Sequence, residues 1–294
     1  MFFRVLLIFF LTIFTQHSIN AETPVFRNAL WNEIYFLGRI NTKWSWQMER
    51  HYRRISNSNS ANLVSMPYQH LYRPWIHYEP YRWLRLSVSP FMYAITYSKN
   101  GQNTIFEPEL RFSIQAMFIY RYFQRLIIHH RFRYEYRMIG DRVMHSSDEF
   151  DYNVEYNFPQ QTDQVHYSGL AVHRERARYM LRFILPISKA NTIETNSFYL
   201  IGWSELYVNV LPDIPSREIF DQNRTFLLLG YRLPSEYPIR LELGYGLRTA
   251  NRFQYQTVEK YTHTTDLMNI IQFYLWVDNV HLFFQKQAKK VSKE

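Results

Sequence analysis

The strongest constraint on this chain is an alternation of apolar and charged side chains with a period of two. Between Leu126 and Arg137, Ile128, His130, Phe132, Tyr134 and Tyr136 form one set; His129, Arg131, Arg133, Glu135 and Arg137 form the other. Successive side chains of a strand point to opposite faces, so one face is aromatic and the other charged. The pattern recurs. Leu84, Leu86, Val88 and Met92 oppose Arg85, Ser87 and Ser89, and Leu110, Phe112, Ile114 and Ala116 oppose Glu109, Arg111, Ser113 and Gln115. Further on, Ala177, Tyr179, Leu181, Phe183 and Leu185 oppose Arg176, Arg178, Met180 and Arg182, and Ile239, Leu241, Leu243, Tyr245 and Leu247 oppose Arg240, Glu242 and Arg248. Repeated hairpins with one greasy and one charged face predict an all-β fold: an antiparallel transmembrane β-barrel of ten to twelve strands, apolar outside, with a polar lumen rich in arginine and glutamate.

The start of the chain fits export. Arg4 precedes an apolar run from Val5 to Phe14, and Ile19-Asn20-Ala21 ends in a small residue. This is the layout of a signal peptide, and the run is too short to span a bilayer as a helix. The expected division is a signal peptide at 1–21, the barrel at 22–276 and a basic periplasmic tail at 277–294. There is no cysteine, which excludes disulfides, thiolate metal sites and a thiol nucleophile. Closing a sheet supplies the missing order, since it pairs every strand edge. Tyr 24, Phe 23 and Trp 7 suit both strands and the bilayer interface. A mean hydropathy of −0.37 is what a barrel with one water-facing side per strand would show. The formal charge is +9. Because the arginines alternate along strands beside glutamates, no exposed basic stripe forms and nucleic acid is not an expected partner.

Turn signals divide the chain. Connections around Pro80, Phe123, Lys189 and Ser235 are short, and those around Ser58, Asn100, Phe150, Pro215 and Tyr255 are mostly longer. Outer-membrane barrels have short periplasmic turns and longer external loops. Ten strands run from Lys43 to Trp276, an even count that leaves both ends in the periplasm. The strand around Leu71–Tyr78 is weakened by Pro74. Leu30–Ile40 is an eleventh candidate that breaks parity; it either gains a partner in the wall, making twelve, or lies at the periplasmic mouth.

The stretch Phe220-Asp-Gln-Asn-Arg-Thr-Phe-Leu-Leu-Leu-Gly-Tyr231, followed by Leu241-Glu-Leu-Gly-Tyr245, resembles bacterial outer-membrane barrels grouped as domain of unknown function 2490. Trp44 with Trp46, Glu109-Leu-Arg111 and Arg131-Phe-Arg133-Tyr-Glu135-Tyr-Arg137 are similar to that pattern too. The most specific piece is Asp221-Gln-Asn-Arg224. The resemblance implies an exported barrel and no particular activity.

The charged faces collect Arg85, Glu109, Arg111, Arg131, Arg133, Glu135, Arg137, Arg176, Arg178, Arg182, Glu205, Arg224, Arg240 and Glu242. In a narrow lumen such charges must pair or stay hydrated, and the planar guanidinium bonds a carboxylate twice over. One reading is a structural ladder of ion pairs. The other is a small passive pore preferring anions, with Arg131, Arg133, Arg176 and Arg178 as its best candidates. No catalytic, cofactor or metal motif stands out. His129 and His130 are adjacent in a strand and point opposite ways, His130 toward lipid and His129 into the lumen, so they cannot share a metal. Ser87 and Ser89 lack a histidine marked by spacing. Alternatives are an outer-membrane lipid-modifying enzyme and a surface recognition protein using the acidic segment 139–169. Expected partners are outer-membrane lipid, the barrel-assembly machinery and an unspecified small solute.

Overall fold

The computed structural model describes residues 23–56, 62–63, 65–100, 103–123, 125–140, 143–145, 172–188, 192–210, 219–234, 238–255 and 261–280. The expected export signal, most of the acidic segment 139–169 and most of the basic tail lie outside these residues. Twelve strands follow in order: β1 (Thr23–Arg39), β2 (Trp44–Ile55), β3 (Met66–Tyr81), β4 (Leu84–Asn100), β5 (Asn103–Tyr122), β6 (Leu126–Ile139), β7 (Val143–His145), β8 (Val172–Pro186), β9 (Ser197–Asn209), β10 (Phe220–Arg232), β11 (Ile239–Tyr255) and β12 (Tyr261–Val277). β7 pairs with β5 at Thr104–Phe106, just past the point where β6 ends opposite Glu109. β6 and β7 are thus one lane, interrupted at Gly140, whose N–H donates to the Pro108 carbonyl.

The lanes close into a barrel of eleven strands, each pairing with its chain neighbour, and β1 finally meeting β12. The expected purely antiparallel wall is corrected here: β1 and β12 run parallel, from Thr23 opposite Thr264 to Phe36 opposite Val277. An odd number of up-and-down strands forces this, because the first and last must point the same way. Leu30–Ile40, all but its last residue, therefore enters the wall within β1 without bringing a twelfth lane. The ten lanes from Trp44 to Val277 begin and end at one rim, as expected of an even count, but β1 adds an eleventh and puts the first strand's start at the other. Thr23 starts at the rim carrying the longer connections, and Val277 ends at the rim of short turns.

Two prolines explain where alternation misleads. The β3–β4 ladder skips from Tyr72–Tyr93 to Ile76–Val88, and the β4–β5 ladder shifts between Ser89 and Met92. Pro74 and Pro90 fall in these gaps, where a missing N–H costs no ladder bond. The bulge inserts an extra residue into β4 and flips the faces beyond it. Met92 consequently joins Ser87, Ser89 and Ala94 on the buried side, not Leu86 on the exposed side as strict alternation predicts.

On most of the other strands parity holds. Leu110, Phe112, Ile114, Phe132, Leu227, Leu229, Leu243 and Tyr245 are exposed, while Glu109, Arg111, Ser113, Arg133, Glu135, Arg176 and Glu242 are buried. Charge does not fill the whole interior. Ala29, Trp31 and Tyr35 of β1 form a buried apolar cluster with Tyr199, Ile201, Phe226, Leu228, Met268, Ile270 and Tyr274. Glycines make room for its rings. A Cβ at Gly246 would sit 2.2 Å from Phe226 Cδ1 on the neighbouring strand, and one at Gly230 would sit 2.3 Å from Tyr199 Cζ. Gly246→Val is expected to displace Phe226 and cost about 1–3 kcal/mol, as overpacking does. Denaturant unfolding of the refolded variant measures it.

Candidate functional site: an arginine-lined interior

The charged residues meet because inward positions on adjacent strands lie opposite one another. Such cross-strand neighbours are about 5 Å apart at Cβ. Glu135 on β6 faces Arg176 on β8 and Ser113 on β5. Arg176 Nε and Nη2 donate to Glu135 Oε2 at 3.1 and 2.7 Å, and Arg178 Nη1 donates to Oε1 at 2.6 Å. The small Ser113 leaves space for Arg111, whose Nη1 reaches Oε2 at 3.5 Å, and Arg133 Nη1 stands 3.7 Å from Oε1. Four guanidiniums thus converge on one carboxylate with no exposed surface.

Like charges placed directly opposite would repel. Here a carboxylate bridges two such pairs. Arg133 faces Arg178 across β6 and β8, and Glu135 joins them. Arg111 faces Arg137 across β5 and β6; Glu109 takes two bonds from Arg111, at 2.5 and 2.7 Å, and one from Arg137 at 2.5 Å. Glu205 on β9 accepts Arg178 Nε and Nη2 at 2.9 and 2.8 Å and Arg131 Nη2 at 2.6 Å, with the Tyr207 hydroxyl donating at 2.8 Å. Nearer the short-turn rim, Arg182 lies 3.5 Å from Glu242, which also accepts the Tyr199 hydroxyl at 3.0 Å. Arg240 forks onto Asp278 at 2.7 and 2.9 Å. Arg85 pairs with the partly exposed Glu79 at 2.5 Å.

Arg224 differs from these. Its Nη2 donates to Gln222 at 3.3 Å, and its guanidinium rests against Trp31 and Tyr207, at 4.9 and 4.7 Å from the ring centroids. Such contacts with the electron-rich ring face hold a cation without neutralising it.

Alternation on the clearer strands missed a second group. Glu33 on β1 accepts Arg53 Nη2 at 2.8 Å and the Tyr35 hydroxyl at 2.5 Å. Glu49 on β2 accepts Gln47 Nε2 at 2.6 Å and Trp75 Nε1 at 2.8 Å, with Arg73 at 3.7 Å. His51 lies between the two carboxylates, at 3.2 Å from Glu33 and 3.4 Å from Glu49. The signal was present but mixed: Trp31, Glu33, Tyr35 and Leu37 share one parity, so charge and apolar bulk fall on the same face. Asp221 was also missed. The β9–β10 ladder shifts between Phe220 and Gln222, and the bulged Asp221 accepts Arg176 Nη1 at 2.7 Å, two strands away. A bulge re-aims a side chain in this way.

Together these groups line an interior cavity of about 620 Å³. Thirteen arginines and eight carboxylates border it, among the described residues. Of the fourteen charged residues expected from alternation, all but Glu135 line this cavity, and Glu135 lies wholly covered behind it. His129 also borders the cavity, whereas His130 bonds the Tyr179 hydroxyl at 2.8 Å on the other face. Ser87 does have a histidine: His77, its cross-strand partner, at 2.8 Å from Nδ1 to Oγ. Hairpin register, which spacing alone does not reveal, pairs them. Among the described residues no group of three or more His, Asp or Glu could hold a metal ion.

No curated protein matches this chain. Residues 28–259 match the family described as Protein of unknown function (DUF2490), in agreement with the resemblance carried by Asp221-Gln-Asn-Arg224. With nearly four-fifths of its length matched, and with the closed β-barrel described above, the chain belongs to the DUF2490 family.

Proposed function

We propose that this protein is an outer-membrane barrel whose arginine-lined interior admits small anions. The observation that carries the reading is the charge balance of the cavity, thirteen arginines to eight carboxylates. Adding the covered Glu135 and Asp266 still leaves the arginines ahead. Charged rings of one sign set ion preference in narrow passages.

The membrane location is supported by the outer surface. Exposed large apolar residues lie on ten of the eleven lanes, far more than a soluble monomer presents. On β5 they run from Leu110 to Tyr120, with Tyr122 following at the rim. Ten residue steps are about 33 Å along a strand, or about 25 Å across a bilayer at ~40° tilt, which matches the apolar band of such barrels. Trp44, Tyr81, Trp83, Tyr122 and Phe123 crowd the short-turn rim, as an interfacial girdle would.

The cavity extends from Arg240 to Arg248 along β11. Eight steps are about 26 Å along the strand, so its mean cross-section is about 25–30 Å². Such a slot suits small ions and excludes larger solutes, as expected between eight-stranded barrels filled by side chains and wide porins. The test is reversal potential in planar bilayers under a potassium chloride gradient. The wild type is expected to prefer chloride, and Arg133→Gln with Arg182→Gln to lower that preference by about threefold or more. These two arginines are chosen because their carboxylates stand at 3.7 and 3.5 Å, so removing them spares the tighter pairs. Cation preference in the wild type, or no current at all, would sink the reading.

A hydrolytic reading rests on Ser87 and His77, hydrogen-bonded at 2.8 Å and both buried. His77 Nε2 has no hydrogen-bond partner among the described residues, so none of these orients the imidazole as the acid of a triad does. Fluorophosphonate labelling that disappears in Ser87→Ala would favour hydrolysis over the anion passage.

A further inference from the structure

One corner of the interior presents donors with nothing to receive them. Among the described residues, Trp31 Nε1 and Arg53 Nε are buried atoms without a hydrogen-bond partner, on side chains more than nine-tenths buried. Arg224 Nε is likewise enclosed and unpartnered. The three belong together: the Arg53 and Arg224 guanidiniums lie 4.0 and 4.9 Å from the Trp31 ring centroid. All three residues border the cavity. An unsatisfied buried donor is expensive, and three around one indole call for a group rich in acceptors.

Charge points the same way. Arg53 is paired with Glu33, but no carboxylate lies within 4 Å of Arg224 among the ion pairs of the described residues. Gln222, which accepts from Arg224, also receives Arg248 Nε at 2.5 Å. The corner is therefore donor-rich and holds one uncompensated cation. It also contains one waiting acceptor. Gln272, the cross-strand partner of Trp31 on β12, is buried, and its Oε1 has no donor among the described residues.

We propose that this corner, bounded by Arg53, Trp31, Arg224 and Gln272, is a binding site for a protonated oxyanion of the phosphate class. Three acceptor oxygens would satisfy the two Nε–H groups and the indole N–H. The remaining P–O–H would donate to Gln272 Oε1. Sulfate has the acceptors but no proton to give at neutral pH, so it leaves Gln272 unsatisfied. The site deepens the anion-passage reading and rests on it only for access from the rims.

Isothermal titration of the refolded protein in detergent with inorganic phosphate, sulfate and glycerol phosphate tests this. Phosphate is expected to bind about tenfold or more tightly than sulfate, the cost of one unsatisfied buried acceptor. Arg224→Gln and Trp31→Phe are expected to weaken phosphate about tenfold and several-fold respectively, with Arg121→Gln, an exposed position of β5 outside the cavity, leaving it unchanged. Gln272→Leu is expected to erase the preference for phosphate over sulfate. Circular dichroism establishes that each variant is folded, and Arg224→Lys, which keeps charge but loses Nε–H, serves if Arg224→Gln does not fold. Binding of inorganic phosphate but not glycerol phosphate assigns a free ion; binding of both assigns the phosphate group of an ester as well. Equal binding of phosphate and sulfate, or a folded Arg224 variant that binds phosphate like wild type, would overturn the site. Its failure is separable from that of the passage: chloride preference can persist without phosphate binding, and phosphate can bind to a barrel that carries no current.

Discussion

Glu135→Gln is expected to cost the barrel about 3–5 kcal/mol, the usual penalty for removing one partner of a buried ionic group. The carboxylate holds Arg176 and Arg178 at 2.6–3.1 Å, with Arg111 and Arg133 at 3.5 and 3.7 Å. Without it, Arg133 and Arg178 face each other directly with nothing between them. Glutamine offers one acceptor oxygen and no charge, so most of these guanidinium bonds lose their charge assistance. Urea unfolding from lipid vesicles, followed by tryptophan fluorescence, gives the difference. A loss below about 1 kcal/mol would mean that water compensates these arginines and that the cluster is not a dry network. Added salt is expected to change the wild type little, since buried pairs are weakly screened.

A second large effect belongs to the opposite face. If the barrel spans a membrane as proposed, Leu243→Arg is expected to destabilise it in vesicles by about 2–4 kcal/mol, the cost of arginine on a lipid face near the bilayer midplane. Leu243 is 57% exposed and lies four residues beyond the start of β11 at Ile239. That is about 13 Å along the strand and about 10 Å in depth at ~40° tilt, close to the middle of the apolar band. Tyr81→Arg, at the rim, is expected to cost no more than about 1 kcal/mol. In water both exposed positions would change stability by only about 0.5 kcal/mol. Equal, small effects at the two positions in vesicles would therefore remove the membrane reading.

Alternation made the barrel and most of its charged face legible, because period two is a local property that needs no knowledge of the partner strand. It failed where the period itself breaks. The Pro90 bulge sent Met92 inward, and the Phe220–Gln222 shift swung Asp221 toward Arg176. It also failed where a face is mixed. On β1, Trp31 and Glu33 share one side, so neither a greasy nor a charged label fits, and the Glu33–His51–Glu49 group stayed hidden. Parity says which side chains turn inward but not what they meet across the barrel. The apolar cluster of Trp31, Tyr199 and Phe226 joins β1 to β9 and β10, and no spacing along the chain encodes that contact. Ion-pair partners needed register as well. Glu135 meets Arg176 only once β6 and β8 are aligned, and a long connection separates them.

The parallel meeting of β1 and β12 also orders assembly in time. Every other lane joins its chain neighbour, so pairing can spread hairpin by hairpin at modest loop-closure cost. Thr23 and Thr264 stand about 240 residues apart and can join only when all the intervening lanes are in place. Until then the growing sheet carries two naked borders, the kind of surface on which strands of other chains add. A nascent barrel of this design is therefore most vulnerable to aggregation just before its final contact, and a chaperone that shields β1 until β12 arrives would act at that moment.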